Sequence, residues 1–259
     1  MGGKEAWFRH FRPEERVLAE RVLDWMTLAE VRYQPVLTPF LNPREQRVAT
    51  MVINRSTDLS ATADGGYEGA ERCRMKVLPP YVEDADHGLA YLSLEPAERG
   101  RDLRHPDVLG SLLGLGLKRD KLGDILPFPG GCHVVVAEEL AEFIRSQLNR
   151  IGRHPVHVET IQREELIVPE TRTETVSVSV ASLRLDAVLA EGFRLSRSRV
   201  STAVKNGNAQ INWKTTGNPA ETVEEGDVLS LRGSGRIQVG EKLGVSKKGR
   251  FLLNLIRSL

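Results

Sequence analysis

Between residues 88 and 165 the apolar pattern reads strand, helix, strand, strand, helix, strand, an order that few folds satisfy. The segments are Leu89–Leu94, Pro106–Leu117, Asp124–Phe128, Cys132–Val136, Glu138–Ile151 and Val156–Gln162. Pro129-Gly130-Gly131 turns the two middle strands into a hairpin, and Leu140, Phe143, Ile144, Leu148 and Ile151 recur at helical spacing behind them. The expectation is an α+β fold in which a split β-α-β-β-α-β sheet, the arrangement of ferredoxin-like and RNA-recognition-motif domains, forms the middle of three small domains.

The flanks carry their own punctuation. Pro13 opens a helix with Glu14 and Glu15 in its first turn and an apolar stripe of Leu18, Val22, Trp25, Met26 and Ala29. Asn42, Pro43 and Glu45 stand where a capping box starts a second helix ahead of Val48, Met51 and Val52. A hairpin is expected next, with Leu59, Ala61 and Ala63 on one strand, Asp64-Gly65-Gly66 turning, and Cys73, Met75 and Val77 alternating with Arg72, Arg74 and Lys76. The division predicted is 1–80 for an N-terminal α/β domain, 81–165 for the middle domain, 166–181 for a linker containing one exposed strand, and 182–259 for a C-terminal domain.

Charge separates along these lines. The whole chain carries a net charge of +1, yet residues 1–181 hold 23 Lys and Arg against 28 Asp and Glu, while 182–259 hold 13 against 7. The C-terminal net charge of +6 marks the part suited to a polyanion. No run of about 18 apolar residues and no leader pattern follows Met1, so a cytoplasmic address without membrane insertion is expected. Cys73 and Cys132 lack metal or redox spacing and read as buried free thiols; no metal or cofactor is expected.

Residues 183–214 carry the chemistry. Leu185, Val188 and Leu189 face inward on a first helix read as stopping at Gly192, a left-handed cap; Ser196 caps a second helix whose Val200, Ala203 and Val204 face inward. At about 100° per residue, Arg197, Ser201 and Lys205 fall on one outer stripe, with Ser198 and Thr202 beside it. Gly207-Asn208 ends that helix, and a strand is read through Ala209, Ile211 and Trp213. Two cations and several hydroxyls on one face suit phosphate oxygens, and a plain solvated helix face is the competing reading.

Other clusters are weaker. Gly110, Gly114 and Gly116 match no phosphate-binding spacing and read as close packing or a cap. His105 with Asp102 and Asp107 reads as helix capping rather than as a catalytic or metal group. Lys118, Arg119 and Lys121 are possible additional RNA contacts, against a solvated turn. The third strand of the middle domain, Cys132-His133-Val134-Val135-Val136, lacks the aromatics that stack bases, which favours packing or docking there. The stripe of Arg72, Arg74 and Lys76 is read as edge protection before RNA contact.

Residues 183–214 resemble the S4 RNA-binding domain through Arg184-Leu185-Asp186, Leu189, Gly192, Ser196-Arg197-Ser198, Lys205, Gly207, Ile211-Asn212 and Lys214. Many such domains carry Gly where this chain has Trp213. Nearly the whole chain is similar to the YlmH-type proteins of bacteria and plastids, on Arg9-His10-Phe11-Arg12-Pro13-Glu14-Glu15, the stretches 105–116 and 118–125, and Asn212-Trp213-Lys214. The resemblance implies a non-catalytic, monomeric RNA-binding factor of the large ribosomal subunit. Its implied partners are large-subunit rRNA and tRNA, its implied role the rescue of stalled peptidyl-tRNA. The residues it places against RNA are Arg184, Ser196, Arg197, Ser198, Ser201, Lys205, Asn206 and Lys214. The rival readings are an RNA-modifying enzyme of pseudouridine synthase or methyltransferase type, for whose catalytic loop or adenosylmethionine site the sequence offers no match, and a protein-interaction factor in cell division or photosystem assembly.

Overall fold

The structure, a computed structural model, describes residues 13–83, 86–98, 100–169, 173–246 and 248–258. It divides into two compact units, residues 1–169 and 170–259. The motif residues 9–12 lie outside the described residues.

In the first unit α1 (Pro13–Arg32) buries Ala19, Val22, Met26 and Ala29 on one stripe, with Leu18 and Trp25 partly covered. After it comes β1 (Val36–Leu41), which the pattern did not announce. Pro39 interrupts its alternation, and the register slips between Leu37 and Phe40, as suits a proline at a bulge on an edge strand. The capping box forms as expected at α2 (Pro43–Ile53): Asn42 Oδ1 accepts from the Arg44 and Glu45 amides, and the Asn42 amide donates to Glu45 Oε2 at 2.7 Å. Strands β2 (Ser60–Asp64) and β3 (Cys73–Leu78) make the expected hairpin, and the three-stranded sheet has the order β1-β3-β2.

The middle region follows the anticipated order. Strands β4 (Leu89–Pro96), β5 (Leu122–Phe128), β6 (Gly131–Ala137), β7 (Arg150–Ile151) and β8 (His154–Ile161) form an antiparallel sheet ordered β5-β6-β4-β8-β7. Helices α3 (His105–Gly114) and α4 (Ala141–Gln147) cover one face, where Leu92, Leu94, Cys132, Val134 and Val136 meet Val108, Leu112 and Ile144. The second helix is shorter than its stripe suggests. It begins as a 3-10 turn at Glu138–Leu140, Phe143 is 42% exposed, and Ile151 reaches the core from β7 instead of from the helix.

The other face of this sheet is covered over β5, β6 and the start of β4, while Glu95, His157 and Glu159 on it are exposed. Phe40 of β1 packs on Val135 and Ala137 with Leu89 and Tyr91 around it, and a side chain at Gly123 would run into Phe40. The buried Asp124 carboxylate accepts from the Tyr67 hydroxyl (2.8 Å) and from the amides of Glu71 (2.7 Å) and Arg72 (3.2 Å). Arg72 donates to the carbonyls of Leu122 and Phe40, Arg74 to those of Thr38 and Gly88, and Arg163 pairs with Asp64. The cationic stripe is therefore no solvent-facing edge: Arg74 and Lys76 are each 6% exposed, because β3 is the central strand and its polar face meets the middle domain. Burial pushes the Arg74 guanidinium below its ordinary pKa against the pull of Glu139.

In the second unit β9 (Thr173–Val180) pairs along its whole length with β14 (Phe251–Ser258). The exposed strand expected within the 166–181 linker is thus an edge strand of the C-terminal sheet, which joins that part of the segment to the C-terminal domain. That sheet also contains β10 (Ala209–Ile211), β11 (Lys214–Thr216), β12 (Val228–Leu231) and β13 (Gly235–Val245), in the order β11-β10-β12-β13-β14-β9. Helices α5 (Leu185–Phe193) and α6 (Arg197–Lys205) pack on one face through Leu185, Val188, Leu189, Val200 and Val204.

Two local readings change. The left-handed residue after α5 is Arg194 (φ 54°), and Gly192 lies inside the helix where a side chain would strike Ile237 at 2.3 Å. Gly192 thus serves close packing, not capping. The strand after α6 ends at Ile211: Asn212 and Trp213, with φ of 50° and 65°, form the two-residue loop closed by the Ile211–Lys214 pair.

Candidate nucleic-acid interface

The first turn of α5 places Asp186 next to the helix start, where it is only 4% exposed. A carboxylate this far from water needs partners. It finds two. Arg184 donates from Nε and Nη2 to Oδ1 and Oδ2 at 3.1 and 3.0 Å, and Arg197 donates from Nη2 to Oδ1 at 3.1 Å. Burial alone raises the Asp186 carboxyl, but the hydrogen bonds from Arg184 and Arg197 outweigh it and hold the group below the usual carboxylate range. The two guanidiniums remain open on their far sides, with side chains 39% and 51% exposed. One buried anion thus holds two outward-facing cations in fixed orientation, which lowers the ordering cost of meeting an anionic ligand.

Helix α6 continues this surface. Ser196 caps it, its Oγ accepting from the Arg199 amide at 3.4 Å and lying 3.3 Å from Ser198 Oγ. Arg197, Ser198, Lys205 and Asn206 are exposed and Ser201 half-buried, while Val200 and Val204 fill the core behind them. From Arg197 to Lys205 the stripe runs about 12 Å. The structure therefore brings together Arg184, Ser196, Arg197, Ser198, Ser201, Lys205 and Asn206, and Lys214 begins the edge strand β11. The sequence reading gave Asp186 no role in the site. Its signal was a lone carboxylate within a helix turn flanked by Leu185 and Ala187, a place that demands a counter-ion.

The other candidates fare differently. Arg119 donates to the carbonyls of Leu122 (2.6 Å) and Gly123 (3.0 Å), and burial and the neighbouring Arg72 push its pKa down to about 10. Lys121 pairs with Glu139 at 2.7 Å, and Lys118 is exposed. These three do not form one cationic patch. Asp102 does not cap α3; it accepts from the Gly130 amide at 3.0 Å, and Asp107 pairs with Arg104, the residue at the cap. A side chain at Gly110 or Gly114 would meet open space, so close packing within the chain does not explain them. Cys73 and Cys132 are buried free thiols. Among the described residues no three His, Cys, Asp or Glu side chains converge as a metal site, and no helix is long and apolar enough to cross a membrane.

Comparison with known proteins places this geometry. Residues 14–82 match the family model described as "YlmH, N-terminal", 82–165 the one described as "Putative RNA-binding domain in YlmH", and 183–229 the S4 domain. The chain is 36% identical over 252 residues, 96% of its length and 98% of the relative's, to the ribosome-associated protein quality control protein P2 of Bacillus subtilis (strain 168). The chain belongs to the YlmH family. A solved YlmH structure, titled cell division protein ylmH from Streptococcus pneumoniae, is similar in fold, with a TM-score of 0.56 at 24% identity, covering 61% of this chain and 97% of that one. The YlmH architecture here packs Phe40 of the N-terminal sheet on part of the middle sheet, and the S4 region carries the Arg184–Arg197 fork on Asp186.

Proposed function

We propose that this chain is a non-catalytic, ribosome-associated factor that grips the phosphate backbone of large-subunit rRNA and tRNA through Arg184, Ser196, Arg197, Ser198, Ser201, Lys205, Asn206 and Lys214, and acts in the rescue of stalled peptidyl-tRNA complexes. The observation that carries the reading is the fork of Arg184 and Arg197 on the buried Asp186, continued by the α6 stripe. Bidentate guanidiniums, a point-charge lysine and hydroxyls match phosphate oxygens and have little means of reading bases. The name of the Bacillus subtilis relative, aligned end to end with this chain, supports the ribosomal setting. The first unit is assigned to docking, since β6 of its middle sheet carries no Phe, Tyr or Trp on which bases could stack and Phe40 covers part of the sheet's second face. Crosslinking in cells followed by sequencing of the recovered RNA tests the proposal. Enrichment of large-subunit rRNA and tRNA is expected; recovery of neither overturns it.

A further inference from the structure

Trp213 sits at a backbone position that suits glycine. It is the second residue of the β10–β11 loop, at φ 65°, where any side chain is strained. Asn212 before it tolerates the left-handed region and is pinned there: its amide donates to Val228 O, its Oδ1 accepts from Val228 N, and its Nδ2 donates to Asp227. The Trp213 ring is half-buried and lies against the Arg236 guanidinium, 5.4 Å from centroid to Cζ. Strand register says which face this is. Thr215, Gln210, Ser230 and Arg236 oppose one another across four strands, one step out of phase with the buried row of Ile211, Leu229 and Ile237. Trp213 therefore stacks on the polar face of the sheet, away from α5 and α6.

The strand that leaves this loop, β11, reaches the end of the cationic stripe. A Cβ at Gly207, just past α6, would lie 3.7 Å from Thr215, and one at Gly217 would lie 4.0 Å from the Lys205 carbonyl, so the end of α6 abuts β11. Lys214 joins that edge strand to Trp213. We infer that Trp213, backed by Arg236, is a stacking platform for an unpaired base of the RNA whose backbone the helices hold. Aromatic faces accept any base, and a guanidinium behind the ring fixes its plane and adds charge beside the flanking phosphate.

This inference rests on the proposed backbone grip, so its test separates the two. Full-length wild type, Trp213→Gly, Trp213→Phe and the double variant Arg197→Ala/Lys205→Ala are titrated against a fluorescein-labelled RNA stem–loop with six unpaired nucleotides and against its stem duplex alone. Trp213→Gly is expected to weaken the stem–loop by about 5- to 100-fold, to leave the duplex within about twofold, and to melt no lower than wild type, because glycine relieves the strained loop. Trp213→Phe restores most of the affinity. If Trp213→Gly leaves the stem–loop unchanged while the double variant weakens both probes, stacking is wrong and the backbone grip stands. If neither affects binding, both fall. A Trp213→Gly protein that melts several degrees lower and loses both probes alike makes the ring a structural plug and overturns the inference.

Discussion

Replacing Asp186 by Asn sets two physical effects against each other. Simple charge counting says that removing an anion from a cationic surface should tighten RNA binding. A phosphate on the outer side of the guanidiniums lies roughly 7 Å from the carboxylate, where the repulsion relieved is about 0.6 kcal/mol in water and less after screening at about 0.15 M salt. The structure points the other way, because Asp186 takes three N–H bonds from Arg184 and Arg197 and fixes both. Freeing two such side chains costs about 1–3 kcal/mol on binding. The net expectation is RNA affinity about 5- to 30-fold weaker, close to 1–2 kcal/mol at 1.4 kcal/mol per tenfold. Anisotropy titration of labelled RNA reads it, with circular dichroism confirming the fold. Tighter binding by Asp186→Asn would refute the reasoning. The pH dependence carries the same sign argument: the carboxyl is held below its ordinary range, so its contribution to stability is complete above the unfolded value near pH 4 and is lost as pH falls through the folded one. Asp186→Asn should flatten that acid limb of a stability curve.

Other expectations follow from the first unit. Asp124→Ala leaves two amides and the Tyr67 hydroxyl without their acceptor, and should cost about 3–5 kcal/mol in denaturant unfolding; a loss under 1 kcal/mol contradicts the seam described above. Gly110 stands in a helix with open space where a side chain would go, so Gly110→Ala should stabilise by about 0.4–1 kcal/mol, and a loss would reveal crowding at that face. Burial pushes the Cys73 thiol up to about 11 and the Cys132 thiol up to about 12, so both should resist an aromatic disulfide reagent at neutral pH until the chain is unfolded.

The capping box at Asn42 was legible because all its parts are local. The middle sheet was legible because its periodicities alternate cleanly. Period two also separated Arg72, Arg74 and Lys76 from Cys73, Met75 and Val77, but it cannot say whether a polar face meets water or another domain, and here it meets the middle sheet. Strand β1 escaped notice through Pro39, and the exposed strand expected in 166–181 passed for part of a linker because the Thr, Ser and Glu of β9 leave it few large apolar groups. Trp213 continued the alternation of Ala209 and Ile211, so a turn passed for strand; only the positive φ values distinguish them. The cations of the site lay in the sequence as a stripe, whereas Asp186, which organises two of them, acquires its role only when Arg184 and Arg197, thirteen positions apart, meet on it.

The most direct test of the central claim, that the C-terminal surface holds RNA by its phosphates, is the salt dependence of binding. Each phosphate contact removed should lower the slope of log affinity against log salt by about 0.7–0.9. Arg197→Ala/Lys205→Ala is therefore expected to reduce that slope by about 1.4–1.8 and to weaken binding to unrelated RNA sequences equally. A double variant that keeps the wild-type slope and affinity would contradict the account.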